Sequence, residues 1–199
     1  MRTTTFAIVL WIGAFNLNLM AQTQPSAPLG KGAVEGVVLA ITYTPERAKI
    51  VDTSCACFWF QGGSADAAFT FYRGWGVAAN LTGQHASDLA GSGSVGKIVY
   101  LVGPRYTFSV RHGSRLFGEA LLGGVHGFDG AFPSSSGTTP TANSFASQFG
   151  GGFDLSLARG FGLRVVEVEY FHSSLPNNGS GTQNDLRLAF GVSYHMGRH

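Results

Sequence analysis

Two glutamates, Glu167 and Glu169, are separated by one residue in a segment that alternates apolar and polar side chains. Residues at i and i+2 of a strand point to the same side, and two neighbouring carboxylates can act as general acid and base. Four further charged residues have the same expected orientation in their own segments: Arg105, Glu119, Asp154 and Arg187. A buried charge without a partner is costly, so we expect these six residues to form a network of ion pairs rather than a catalytic site.

The two cysteines, Cys55 and Cys57, form a C-x-C motif in the region of the first long loop. A metal site would need further ligands, and no clear set of His or Cys partners is visible, so a metal centre is the least favoured state. A disulfide between residues i and i+2 is strained, although two thiols in an oxidising compartment tend to oxidise. A strained disulfide, an intermolecular disulfide and free thiols are the alternatives.

The composition favours a β-structure in contact with lipid. Only 12% of the 199 residues are charged, whereas 44% are hydrophobic, 13% are aromatic and 29 residues are glycine. Soluble domains average about 25% charged residues. Helical membrane proteins need runs of about 20 apolar residues, and none follows the N-terminal segment. A formal net charge of +2 without a Lys/Arg stripe argues against a nucleic-acid partner.

The first 21 residues are typical of a signal peptide. Arg2 supplies a positive start, Phe6–Phe15 is apolar, and Ala21 is a suitable last residue before cleavage. The alternative is a single membrane anchor, which Asn16 and Asn18 make short and interrupted. The Ser, Pro and Gly residues that follow predict a flexible leader over residues 22–32, and the folded domain is expected over 33–199.

Eight segments of that domain alternate apolar residues with small or polar ones. The candidate strands are Gly36–Tyr43, Ser64–Tyr72, Trp75–His85, Lys97–Arg111, Leu116–Phe128, Ser144–Leu157, Arg164–Tyr170 and Asp185–Met196. Strands of a transmembrane barrel alternate lipid-facing apolar and lumen-facing polar residues in this way, whereas a soluble barrel puts its apolar residues inside. We predict an all-β fold, an eight-stranded antiparallel transmembrane up-and-down β-barrel.

The connections between the candidate strands alternate in length. Long connections are Pro45–Ser54, Ala86–Gly96, Asp129–Asn143 and Ser173–Gln183, and short ones are Tyr72–Gly74, Arg111–Ser114 and Arg159–Phe161. With the N-terminus in the periplasm, the long loops are external and the short turns are periplasmic. Pro104 removes a donor from the fourth strand, so we expect a bulge there.

Several short stretches occur in an order that resembles a known family. They are Cys55–Phe58 with Gly62–Ser64, Leu101–Tyr106, Ala146–Asp154, Leu163–Tyr170 and Asn184–Tyr194. The order resembles the small OmpA-type, porin-like outer membrane β-barrel domain over nearly the whole mature chain. The terminal strand, residues 184–196, also resembles the signal that the barrel-assembly machinery recognises, although the chain ends in Gly-Arg-His rather than on an aromatic residue.

The resemblance implies a protein of the bacterial cell outer membrane, reached through the periplasm, with outer membrane lipid and lipopolysaccharide as partners. Eight strands leave room inside only for side chains, so the six charges are expected to fill a closed lumen. No cofactor is expected. The family has no single activity, and the sequence identifies no ligand for the external loops.

His172 and Ser174 share the face of Tyr170 near the outer end of the seventh strand. Their His-x-Ser spacing resembles the catalytic pair of outer membrane lipid A deacylases, and that resemblance requires an acid from the following strand. Asp185 is the nearest candidate, but its alternation points it inward. We therefore expect a non-enzymatic protein with a structural or surface-interaction role. The alternative is a deacylase-like hydrolase, and a narrow pore is a weaker one.

Overall fold

The computed structural model describes residues 36–49, 57–87, 93–110, 113–135, 137–176 and 181–197. The expected signal peptide (1–21) and leader (22–32) lie outside the described residues, as does Cys55, so the division into domains stays a prediction. In the part of the chain that is described, no helix is long and apolar enough to cross a membrane.

Eleven β-strands occur among the described residues. They are β1 (Gly36–Tyr43), β2 (Glu46–Lys49), β3 (Cys57–Tyr72), β4 (Trp75–Ala86), β5 (Val95–Ser109), β6 (Arg115–Phe128), β7 (Phe132–Ser134), β8 (Gly137–Thr139), β9 (Ala142–Ser156), β10 (Phe161–Ser173) and β11 (Gln183–Met196). The barrel order is β1-β11-β10-β9-β6-β5-β4-β3, and pairing of β1 with β3 closes it. β2 pairs with β11 and β3, as β1 does, so β1 and β2 form one wall strand. The predicted closed, antiparallel, eight-stranded barrel is confirmed.

The two ends of the barrel differ in their connections. At one end, called the turn end here, tight turns connect β3 to β4 and β9 to β10. The two central residues of each turn have positive φ: Arg73 and Gly74 in the first, and Arg159 and Gly160 in the second. Consecutive residues with positive φ are the type I′ geometry that matches the twist of the flanking strands. The opposite end, called the loop end, carries the longer connections.

Two predicted loops contain strand structure. The prediction that Pro45–Ser54 is a loop is wrong over Glu46–Lys49, which is strand β2. Pro45 interrupts the wall only locally, because its carbonyl oxygen still accepts a hydrogen bond from the Leu188 N–H at 3.0 Å. In the connection predicted over Asp129–Asn143, β7 and β8 form a small hairpin.

The predicted bulge at Pro104 is also wrong. Val102 pairs with Leu122 and Arg105 with Glu119, so the register between β5 and β6 is the same on both sides of the proline. A missing N–H removes a ladder bond, but it does not by itself insert a residue. A register shift occurs instead in β10, where Val165 is the extra residue between Arg164 and Val166.

The outer face of the barrel is apolar and the interior is polar. Ile41 is 70% exposed and Val192 is 57% exposed in mid-strand, while the opposite parity of the same strands is buried. Soluble monomers rarely expose an apolar surface of more than a few hundred Å². The inverted distribution is that of a transmembrane β-barrel.

Candidate functional site

The barrel interior holds the charged side chains. The six residues predicted from the sequence all lie there, buried: Arg105, Glu119, Asp154, Glu167, Glu169 and Arg187. Five more buried charges join them: Glu46, Asp66, Lys97, Arg164 and Asp185. Among the described residues, the lumen therefore contains seven carboxylates and four cations that are at least nine-tenths buried.

Arg105 and Arg164 organise the half of the lumen nearer the turn end. Arg105 donates from Nε to Glu119 Oε2 at 2.7 Å and lies 2.9 Å from Asp66 Oδ1. Arg164 donates to both oxygens of Asp154, at 2.9 and 3.2 Å, and to Glu167 Oε2 at 3.0 Å. We call these six residues the turn-side cluster.

One aromatic ring contacts both guanidinium groups of the turn-side cluster. The Cζ atoms of Arg105 and Arg164 lie 4.2 and 4.5 Å from the centroid of Phe117. A cation within about 6 Å of a ring centroid is attracted to the face of the ring. Phe117 therefore interacts favourably with both cations.

Arg187 and Lys97 organise the half nearer the loop end. Both contact Glu46, with Arg187 Nε donating to Glu46 Oε2 at 2.9 Å. Arg187 also donates to Glu169 Oε2 at 3.3 Å. The ring of Phe171 contacts both cations, with its centroid 4.8 Å from Lys97 Nζ and 4.5 Å from Arg187 Cζ. We call these five residues the loop-side cluster.

Gln148 joins the two clusters. Its carbonyl oxygen accepts from Arg187 Nη1 at 3.0 Å, and its amide nitrogen donates to Glu119 Oε1 at 3.2 Å. Polar chains of this kind strengthen one another in a medium of low dielectric constant. The lumen thus contains one connected polar network rather than two separate ones.

Three carboxylates of the network converge. Glu119, Glu167 and Glu169 each place one oxygen within 4.8 Å of the others. Each already accepts hydrogen bonds from arginine or glutamine side chains. We assign no metal to an acidic cluster whose members have these partners.

The candidate catalytic residues do not form a triad. His172 Nδ1 lies 2.7 Å from Asn184 Oδ1, which also accepts from the Tyr170 hydroxyl at 2.7 Å. Asp185 is buried on the opposite, lumen-facing side of β11. Ser174 is exposed, and its backbone N–H donates to Phe145 O at 3.1 Å. The residue that orients the histidine is therefore an amide rather than a carboxylate.

Sequence reasoning missed several residues of the network. Glu46 lies in the segment that was expected to be a loop, and Arg164 faces inward only because of the bulge at Val165. Asp66 and Lys97 occupy inward positions of their strands, so alternation alone could have identified them. Cys57 begins β3 and Cys55 lies outside the described residues, so the cysteine alternatives stay open.

Known proteins are similar to this chain in structure rather than in sequence. No family model and no curated protein matches it. The attachment invasion locus protein Ail of Yersinia pestis covers 82% of this chain and 100% of its own, with 17% identity and a TM-score of 0.54. Neisserial surface protein A covers 80% and 96%, with 11% identity and a TM-score of 0.60. OprG of Pseudomonas aeruginosa covers 82% and 97%, with 11% identity and a TM-score of 0.51.

These identities are too low to transfer a role, but the likeness extends over 96–100% of the length of each neighbour. Strand number, closure and the apolar outer face agree with it. The chain has the fold of the small eight-stranded β-barrels of the bacterial outer membrane.

Proposed function

We propose that this protein is a non-enzymatic outer membrane barrel with a structural or surface-interaction role and a closed lumen. The observation that carries the proposal is the connected network of buried charges, which Gln148 links from the turn-side cluster to the loop-side cluster. In this proposal the loop end is extracellular and presents the interaction surface. The turn end faces the periplasm.

Contacts across the lumen support a closed interior. Arg164 on β10 donates to Asp66 on β3 at 3.3 Å, and Arg187 on β11 donates to Gln84 on β4 at 3.4 Å. In each case two wall strands lie between the partners on the shorter way around the barrel. A continuous water path through the barrel would have to separate these pairs. Each charge left unpaired in the interior costs several kcal/mol, so the contacts oppose an open channel.

The names of similarly folded proteins support the surface role. One is described as an attachment invasion protein and another as a surface protein. Lipopolysaccharide and outer membrane lipid are the proposed surroundings of the apolar face. We also propose that β11 directs assembly, since it pairs with β1 and so completes the closure of the barrel.

Single-channel recording in planar bilayers tests the closed lumen. We expect the refolded wild-type protein to show no large, steady conductance. Arg187→Ala removes the residue that contacts Glu46, Glu169, Gln148 and Gln84, so any variant that still folds should conduct more than the wild type. Folding is checked by the change in gel mobility on boiling. Large, steady wild-type conductance would contradict the proposal and favour a pore.

A further inference from the structure

Both tight turns have an arginine in the left-handed conformation as their first central residue. The φ angles are 45° at Arg73 and 54° at Arg159. Type I′ turns favour Asn, Asp or Gly at this position, and other residues adopt positive φ uncommonly. Turn geometry therefore does not account for the two arginines, which points to a use for their side chains.

Basic residues also occur in other segments of the sequence close to the strand ends that form the turn end of the barrel. In the sequence, Arg111, His112, Arg198 and His199 come within a few residues of the last described residues of β5 and β11, and they lie outside the described residues. The segments 72–75, 109–115, 157–161 and 196–199 contain no Asp or Glu. Positive charge is thus a property of all these segments rather than of a single turn.

Aromatic side chains place this end at a membrane boundary. Trp75 packs on Tyr106 and Phe161 on Tyr194, each with ring centroids 5.0 Å apart. Girdles of aromatic residues lie at the level of the lipid headgroups in barrels of this type. Arg73 and Arg159 stand two residues before Trp75 and Phe161 in the chain, so they lie at or just beyond headgroup level.

A cavity of about 80 Å³ lies beside the turn at Arg159 and Gly160. Arg115, Ser156, Arg159 and His195 are the polar residues among those that line it. Arg115 Nε is buried, and among the described residues it has no hydrogen-bond partner. The carboxylate that pairs across the strands with Arg115, Asp154, already accepts two hydrogen bonds from Arg164.

The cavity lies at the rim of the barrel, where lumen-facing residues such as His195 and lipid-exposed residues meet. Leu157 and Phe161 line it, and they are 65% and 58% exposed on the outside of the barrel. The space accommodates several water molecules or one tetrahedral oxyanion. A lining that includes both cationic residues and lipid-exposed apolar residues matches the two parts of a phospholipid.

We propose that this cavity binds the phosphate of a phospholipid in the leaflet at the turn end. Arg115 and Arg159 hold the phosphate oxygens, to which guanidinium groups donate paired hydrogen bonds. Leu157 and Phe161 contact the first part of an acyl chain. The proposal rests on the proposed membrane orientation, in which this leaflet faces the periplasm.

The test uses Arg159→Asn, because asparagine tolerates the left-handed turn conformation and removes the charge. Arg73→Asn is the matched control, since it makes the same change in the other turn, away from the cavity. Binding of phosphatidylglycerol to the refolded, detergent-solubilised full-length protein is measured by native mass spectrometry. We expect Arg159→Asn to weaken binding by about tenfold, the effect of one charge-assisted hydrogen bond, and Arg73→Asn to leave it unchanged.

Two further probes separate the possible sources of the ligand. Diacylglycerol with the same acyl chains should bind the wild type and Arg159→Asn equally, because it lacks the phosphate. Inorganic phosphate should compete poorly, because it lacks the chains. Competition by free phosphate as strong as that of the lipid would replace the phospholipid with a soluble anion and overturn the proposal.

Equal binding of phosphatidylglycerol to the wild type and Arg159→Asn would also overturn it. So would an equal loss in Arg73→Asn, which would assign the effect to the general charge of the turn end. Gel mobility before and after boiling establishes that each variant is folded. The conductance measurement on the wild type does not depend on lipid binding. The proposal of a closed lumen and the proposal of a lipid site can therefore be contradicted separately.

Discussion

Arg164 and Asp66 meet inside the barrel, with Nη1 of the arginine 3.3 Å from Oδ1 of the aspartate, although they are 98 positions apart in the chain. Asp66 also lies 2.9 Å from Arg105 Nη2. One carboxylate of β3 therefore contacts guanidinium groups from β5 and β10, neither of which is a neighbour of β3 in the wall. These contacts exist only in the closed barrel, so the network and the closure of the wall stabilise each other.

Arg105→Ala should destabilise the barrel by about 3–5 kcal/mol, because it leaves Asp66 and Glu119 buried with fewer partners. Urea unfolding in lipid vesicles measures the free-energy change. Arg47→Ala is the control, since Arg47 is exposed in β2. If both variants unfold at the same urea concentration as the wild type, the interior pairs do not stabilise the fold.

Local alternation was sufficient to predict the wall of the barrel. In β4, burial alternates at every residue from Trp75 to Ala86, and a period of two is visible in sequence without knowledge of the neighbouring strands. The continuation of the first wall strand was not predictable in this way. Proline at position 45 is an ordinary end signal for a strand, and the pairing of β2 with β11 and β3 depends on distant segments.

Arg164 shows why part of the site escaped prediction. Strict alternation counted back from Val166 places Arg164 on the lipid side, yet it is buried. Val165 and Val166 are both exposed, at 44% and 43%, because the bulge adds one residue to β10. A bulge exchanges the inward-facing and outward-facing positions of all residues beyond it. No local pattern of residues indicated the bulge at Val165.

Deleting Val165 should therefore prevent correct assembly. Without the extra residue, either Arg164 or the segment beginning at Glu167 must face lipid. An arginine on the lipid face costs up to about 2–4 kcal/mol, and the cost falls towards the membrane surface. Val165→Ala keeps the residue count and is the control. We expect the control, but not the deletion, to show a mobility shift on boiling. A deletion variant with a normal shift would show that β10 can re-register without loss.

Purified protein should release no fatty acid from lipopolysaccharide. A working pair needs a histidine that a third group orients for the serine, and here that group is the amide of Asn184 while Asp185 faces the lumen. Mass spectrometry of lipid A after incubation makes the measurement, with Ser174→Ala as the control. Release by the wild type that disappears in Ser174→Ala would establish the hydrolase instead.

The final prediction compares two buried glutamates that both contact Arg187. Glu46 contacts Lys97 as well, so it compensates two cations, whereas Glu169 belongs to the converging carboxylates. Buried carboxylates outnumber buried cations seven to four among the described residues. A neutral side chain at position 169 should therefore relieve repulsion, but one at position 46 should leave cations uncompensated.

We expect Glu46→Gln to lower the free energy of unfolding by about 3–5 kcal/mol, the cost of breaking a buried pair. Glu169→Gln should lower the free energy of unfolding by less than about 1 kcal/mol, or raise it. The glutamine oxygen can still accept a hydrogen bond from Arg187, so the loss is about that of one neutral hydrogen bond. Both variants are unfolded in urea under identical lipid conditions, so the comparison is internal. Equal losses at the two positions would mean that the excess of carboxylates produces no net repulsion. A larger loss at position 169 would make the converging carboxylates, rather than Glu46, the main stabilising anions of the lumen.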